Sequence, residues 1–126
     1  MKKAERRHSV LVLGNSRDKA FEQTLSDICF SATFLKSMEG VLHKLRHVQT
    51  TAILVDRDQK KADELELVLN VRDMDENIPI ILIGSTTDEL TELILASQPA
   101  TFIIPKPIGD PSLGSALRGL MQNAVS

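Results

Sequence analysis

Short apolar runs alternate along this chain with stretches in which apolar residues recur every three or four positions. The run SVLVL at 9–13 reads as a buried strand, because continuous β-branched and leucine residues suit a strand covered on both faces. Phe21, Leu25 and Ile28 follow at helical spacing, with Asn15 or Ser16 as the candidate N-cap. ATFL at 32–35 is a weaker strand, and Met38, Val41, Leu42 and Leu45 mark a second helix. AILV at 52–55 is a third strand, and Leu65, Val68 and Leu69 give the core stripe of a third helix. IPIILI at 78–83 is the clearest strand, with its proline near the start, where a missing donor is tolerated. Leu90, Leu93 and Ile94 give a fourth helix opened by the capping stretch STTDE. TFII at 101–104 is the fifth strand, and Leu113, Ala116, Leu117 and Leu120 give the last helix.

Five βα units in 126 residues predict an α/β domain spanning 1–126, with residues 1–7 as a basic leader. Strands that are apolar throughout need helices on both faces, and right-handed crossovers then give an open, doubly wound parallel sheet. In such sheets ligand chemistry gathers at the carboxyl ends of the strands. The residues at those ends are Gly14 and Asn15, Asp56 to Asp58, Gly84 and Ser85, and Pro105 to Pro107.

Composition narrows the classes. Hydrophobic residues make up 42% of the chain, and the four aromatics are all Phe, so the core is aliphatic. A net charge of −2 with acids and bases interspersed does not indicate a nucleic-acid surface. The one dense basic stretch, MKKAERRH, reads as a solvated tail. A single cysteine, Cys29, excludes an internal disulfide and fits a reducing compartment. No run approaches the roughly 18 apolar residues of a membrane span, and no signal-peptide stretch opens the chain. These features predict a soluble, cytoplasmic protein.

Several possible sites read more simply as structure. GNS after the first strand lacks the second glycine and the lysine of a phosphate loop, so it reads as a turn. His43 and His47 stand four apart on the second helix without an evident third ligand. DRD and DMDE lack the glycine and spacing of a calcium loop. No Ser/His/Asp or Cys/His arrangement is supported, and without Trp or Tyr a flavin site is disfavoured, so no enzyme activity is expected. What the strand ends do gather is a carboxylate, Asp56, a hydroxyl, Ser85, and an ammonium, Lys106. Lys106 lies between two prolines, which restrict its backbone on both sides and can hold its charge opposite Asp56. From the residues alone, Asp56 is a phosphoryl acceptor, a metal ligand, or the remnant of a site whose other parts have gone.

From about residue 8 to 123 the chain resembles a response-regulator receiver domain, the family of the chemotaxis phospho-switch. The resemblance rests on AILVD ending in Asp56, on DELELVLNVR, on IPIILIGS, and on PATFIIPKPI with its Lys-Pro after the fifth strand. It implies a five-stranded, flavodoxin-like (βα)5 receiver fold. It also implies Asp56 as phosphoacceptor, Lys106 and Ser85 as phosphoryl contacts, and Mg²⁺ held weakly by Asp56, Asn15 and the position of Asp58. Departures accompany it. Gly14 and Asn15 stand where the family places two metal-binding acids, so acids restored there should rebuild the cation site. Gly84 takes the place of the family's Ser/Thr, and Ile103 that of its switching aromatic. A missing carboxylate near a cation is worth on the order of 1–4 kcal/mol, so the site is expected to be weakened. The resemblance therefore implies a signal-transduction domain that works through protein partners, with impaired or absent phosphorylation. The alternatives are a working phosphorelay receiver served by a histidine kinase and the N-terminal regulatory domain of a flagellar-type transcription activator. Partners, a histidine kinase, a downstream regulator or a second copy, are expected on the fourth helix, fifth strand and fifth helix, with Glu89 and Glu92 as exposed acids.

Overall fold

The structure, a computed structural model, describes residues 8–14, 23, 30–57, 63–84, 88–104 and 119. Strands β1 (His8–Leu13), β2 (Phe30–Leu35), β3 (Ala52–Asp56), β4 (Ile80–Ile83) and β5 (Thr101–Ile104) form one sheet in the order β2-β1-β3-β4-β5. All four pairings are parallel. The doubly wound sheet expected from the apolar runs is thus present. Helices α1 (Met38–His47), α2 (Glu64–Met74) and α3 (Glu89–Ala96) are the second, third and fourth of the sequence pattern. The first and last predicted helices lie outside the described residues, except that Gln23 and Gly119 are helical.

Each described helix starts where a side chain satisfies an otherwise unpaired backbone N–H. Ser37 Oγ accepts from Gly40 N at 3.1 Å, Asp63 Oδ1 from Glu66 N at 3.2 Å, and Asp88 Oδ1 from Thr91 N at 3.2 Å. The fourth strand begins at Ile80, two residues after the predicted start. Pro79 has no N–H to offer a neighbour, but its carbonyl accepts from Ile53 N at 2.9 Å and leads the chain into the sheet.

The strands' alternation separates two apolar layers. Val10, Val12, Ala52, Leu54, Ile81 and Ile83 form one; Leu11, Leu13, Ile53, Val55, Ile80 and Leu82 face the other way and pack with the helices. Val41, Leu67, Val68, Val71 and Leu95 are the buried helix residues of that second layer. Two sequence expectations are corrected here. Leu69 is half exposed, because α2 presents Leu67, Val68 and Val71 to the sheet instead. Leu90 and Leu93 are 67% and 70% exposed and Ile94 36%, because α3 turns Leu95 and Glu92 inward.

At the amino ends of the strands Arg72 ties three segments together. It donates to the carbonyls of Asp75, Ile78, Pro99 and Ala100 and to Thr101 Oγ1. Burial lowers the Arg72 guanidinium from its ordinary value, and Asp75 partly opposes this. Ala100 sits at φ 50°, in the left-handed region, and its carbonyl accepts from Ile80 N. The site residues lie at the opposite end of the sheet.

Candidate site at the carboxyl ends of the strands

Asp56 is the last residue of β3, in register with Ile83 of β4, and is 5% exposed. A carboxylate so placed reaches the rim of the sheet while its backbone stays in the ladder. Gly14 follows β1 beside it, held by a bond from its N–H to Leu35 O at 3.0 Å. Gly84 follows β4 with φ 120°, a left-handed conformation that favours glycine, and its N–H donates to Ile104 O at 2.8 Å. Three strand ends therefore meet around one acid.

The closeness of Gly14 to Asp56 changes the reading of the missing acids. A Cβ at residue 14 would lie 2.9 Å from Asp56 Cβ, inside the contact distance real side chains keep. An acid placed at residue 14 to rebuild the cation site would require the β3 end to shift. Mg²⁺ needs near-octahedral oxygen ligands, usually including one or two carboxylates. Among the described residues no group of three His, Cys, Asp or Glu is placed to hold a metal. Asn15, Asp58, Ser85 and Lys106, the other candidate ligands and phosphoryl contacts, lie outside the described residues.

The main site feature that sequence reasoning passed over is Arg57. It directly follows Asp56, is 3% exposed, and continues the alternation that sends Ile53 and Val55 into the helix-covered layer. There it meets two carboxylates. Arg57 Nε donates to Glu64 at 3.0 and 3.2 Å, and Nη2 donates to Glu64 Oε1 at 2.9 Å. Nη2 also donates to Glu92 Oε1 at 2.6 Å, and Nη1 to Glu92 Oε2 at 3.2 Å and to Gly84 O at 3.3 Å. One guanidinium thus joins the ends of β3 and β4, the first residue of α2 and the middle of α3. Burial alone lowers its affinity for the proton, but the bonds it donates to Glu92 and Glu64, with their negative charge, outweigh this and raise its pKa above the ordinary arginine value. Glu92, expected as an exposed acid, is instead part of this pair; Glu89 is exposed as expected. The parity of position 57 was the available signal, since a charged residue on a buried parity requires partners.

Leu90, Leu93 and Ile94 of α3 face outward on one side of the sheet, and Phe102 on β5, 37% exposed, shares the parity of Ile104 on the other side. Ile103 is partly buried and packs into the helix-covered layer. His43 and His47 stack with ring centroids 4.5 Å apart, with no third ligand placed to complete a metal site among the described residues. No described helix is long and apolar enough to cross a membrane.

No protein-family model matches the chain, and no curated protein matches it in sequence. Solved structures match it over nearly its whole length. The signal receiver domain of an HD domain-containing protein from Pseudomonas fluorescens Pf-5 superposes with a TM-score of 0.80 at 16% identity, covering 98% of this chain and 93% of that one. The chemotaxis response regulator CheY4 of Vibrio cholerae matches with a TM-score of 0.74 at 19% identity, covering 91% and 99%. The receiver domain of a sensor histidine kinase from Pseudomonas aeruginosa PAO1, which carries a magnesium ion in its active-site cleft, matches at 0.76 and 16% identity, covering 93% and 99%. The chain has the receiver-domain fold.

Proposed function

We propose that this chain is a receiver-fold signalling module that acts by binding a protein partner, with phosphorylation of Asp56 impaired. The observation that carries the second half is the glycine beside Asp56, at a position where a Cβ would force the strand end to shift. In phosphoryl transfer to a carboxylate, charge neutralisation and positioning supply most of the catalysis. A rim lacking the carboxylate at 14 gives a cation little to hold. Asn15, Asp58 and Asp56 are the remaining ligands for a weak Mg²⁺, and Lys106 and Ser85 the remaining phosphoryl contacts. The buried strand-end position of Asp56 supports a second reading, a phosphorelay receiver in which its carboxylate takes a phosphoryl group from a histidine kinase.

The first half of the proposal is supported by the outer face of α3. Leu90, Leu93 and Ile94 are too exposed for core residues and form one apolar stripe on a helix that packs beside the edge strand. Contiguous apolar surface of this kind marks interaction sites in soluble proteins. A β-branched side chain at 103, holding few χ1 states and packed into the layer beneath the helices, supports a fixed rather than a switching β5. We take the partner to be a kinase, a downstream regulator or a second copy of the chain, met in the cytoplasm by a single domain spanning 1–126. The N-terminal regulatory domain of a transcription activator is one setting that fits this reading.

The experiment is intact-mass measurement after incubation with acetyl phosphate, with and without Mg²⁺. The unmodified mass should persist in both. Efficient Mg²⁺-dependent labelling, abolished in Asp56→Asn, would establish the phosphorelay reading instead.

A further inference from the structure

We infer that Arg57 is a positioning residue that sets the axial rotation of α3 and so decides which face that helix shows to a partner. The use of that face rests on the docking reading above; the clamp itself stands on geometry.

The helix carries two stripes. Leu90, Leu93 and Ile94 form one, entirely apolar; Thr91, Glu92 and Leu95 form the other. Burial of apolar surface alone would turn the first stripe to the sheet, which is what the sequence pattern predicts. The structure has the reverse setting, with Leu95 fully buried and Leu90 and Leu93 the most exposed large apolar residues described. A specific attraction must hold the second stripe inward, and the bonds from Arg57 to Glu92 supply it. Arg57 cannot give up its proton, and its side chain is 2% exposed, so it requires carboxylates beside it. The guanidinium is itself immobilised from behind by Glu64 on α2 and by Gly84 O at the end of β4. It therefore holds α3 against a fixed frame. Leu95, one turn further along the same inward stripe, adds the apolar contact that completes this setting. Arg57 also follows Asp56 in the chain, so the clamp begins at the strand end that carries the candidate acceptor.

The test uses the free protein, without partner or phosphodonor. Leu93→Cys is labelled with a bulky maleimide, and modification is followed at that peptide by mass, separately from Cys29. In Leu93→Cys alone labelling should be fast. In Arg57→Met/Leu93→Cys it should slow at least about tenfold, with amide exchange of residues 92–96 still protected, as the leucine stripe turns inward. Unchanged labelling, or faster labelling with loss of amide protection, would overturn the inference, since α3 would then have no alternative setting. Should Arg57→Met fail to fold, Arg57→Met/Glu64→Gln/Glu92→Gln removes all three charges and is expected to give the same slowing. Failure of this test leaves the docking reading untouched, because a partner that binds the leucine face is detected separately by its loss in Leu93→Glu.

Discussion

Replacing Arg57 by methionine removes the cation between two carboxylates and leaves both facing a space built for it. Removing one partner of a buried ion pair costs about 3–5 kcal/mol, mostly because a charge is left without compensation. The side chains of Glu64 and Glu92 are 13% and 28% exposed, so each regains some water once the arginine has gone. The lower end applies, about 3 kcal/mol, a large part of the total stability of a small domain. With an m-value of about 1.5 kcal/mol/M, the urea midpoint should fall by about 2 M. At about 4 °C per kcal/mol for a domain of this size, Tm should drop by about 12 °C. Arg57→Met/Glu64→Gln/Glu92→Gln should recover at least about half of that loss, since no buried charge then lacks a partner. Equilibrium urea unfolding followed by circular dichroism decides the matter. A loss below about 1 kcal/mol at unchanged m would show that the guanidinium is not holding these elements, and the account of α3 would fall with it.

Gly14→Ala should cost about 1–3 kcal/mol by urea unfolding, because its Cβ would press on Asp56 Cβ at 2.9 Å and the strand end must give. A neutral effect would show that the two strand ends have slack. The carboxyl of Asp88 is held below its ordinary value, chiefly by the 2.6 Å bond from the Thr91 hydroxyl and then by the Thr91 N–H. A depressed folded value means that its stabilisation of the α3 start is present above the unfolded carboxylate range, near pH 4, and is lost as pH falls through the folded value. Amide exchange at Thr91 should therefore accelerate relative to Val41 of α1 on acidification below that range, and Asp88→Asn should remove the difference.

The strands were legible because a run such as IILI has the same meaning whichever neighbours it finds, and all four residues of β4 are buried. Asp88, inside the capping stretch STTDE, shows the same for a helix start, where a cap acts within its own turn; the caps Ser37 and Asp63 were not singled out. The faces of α2 and α3 were less legible. Periodicity identifies an apolar stripe but assumes that it points inward, and in α3 an arginine more than thirty residues away in sequence selects the other stripe. Leu69 failed for a milder reason, since Leu67, Val68 and Val71 already fill the contact with the sheet. Asp56 was readable as a strand-end acid from AILVD. The crowding of residue 14 against it was not, because it depends on how closely β1 and β3 run together past Leu13 and Val55.

The central claim is that this receiver fold presents a fixed surface. Amide exchange of Glu89–Ala96 and Thr101–Ile104, measured with and without Mg²⁺ and beryllofluoride as a phosphoryl mimic, tests it most directly. The account predicts superimposable exchange in both segments. A concerted change in protection across both, absent in Asp56→Asn, would contradict it and make the protein a phosphorylation-driven switch.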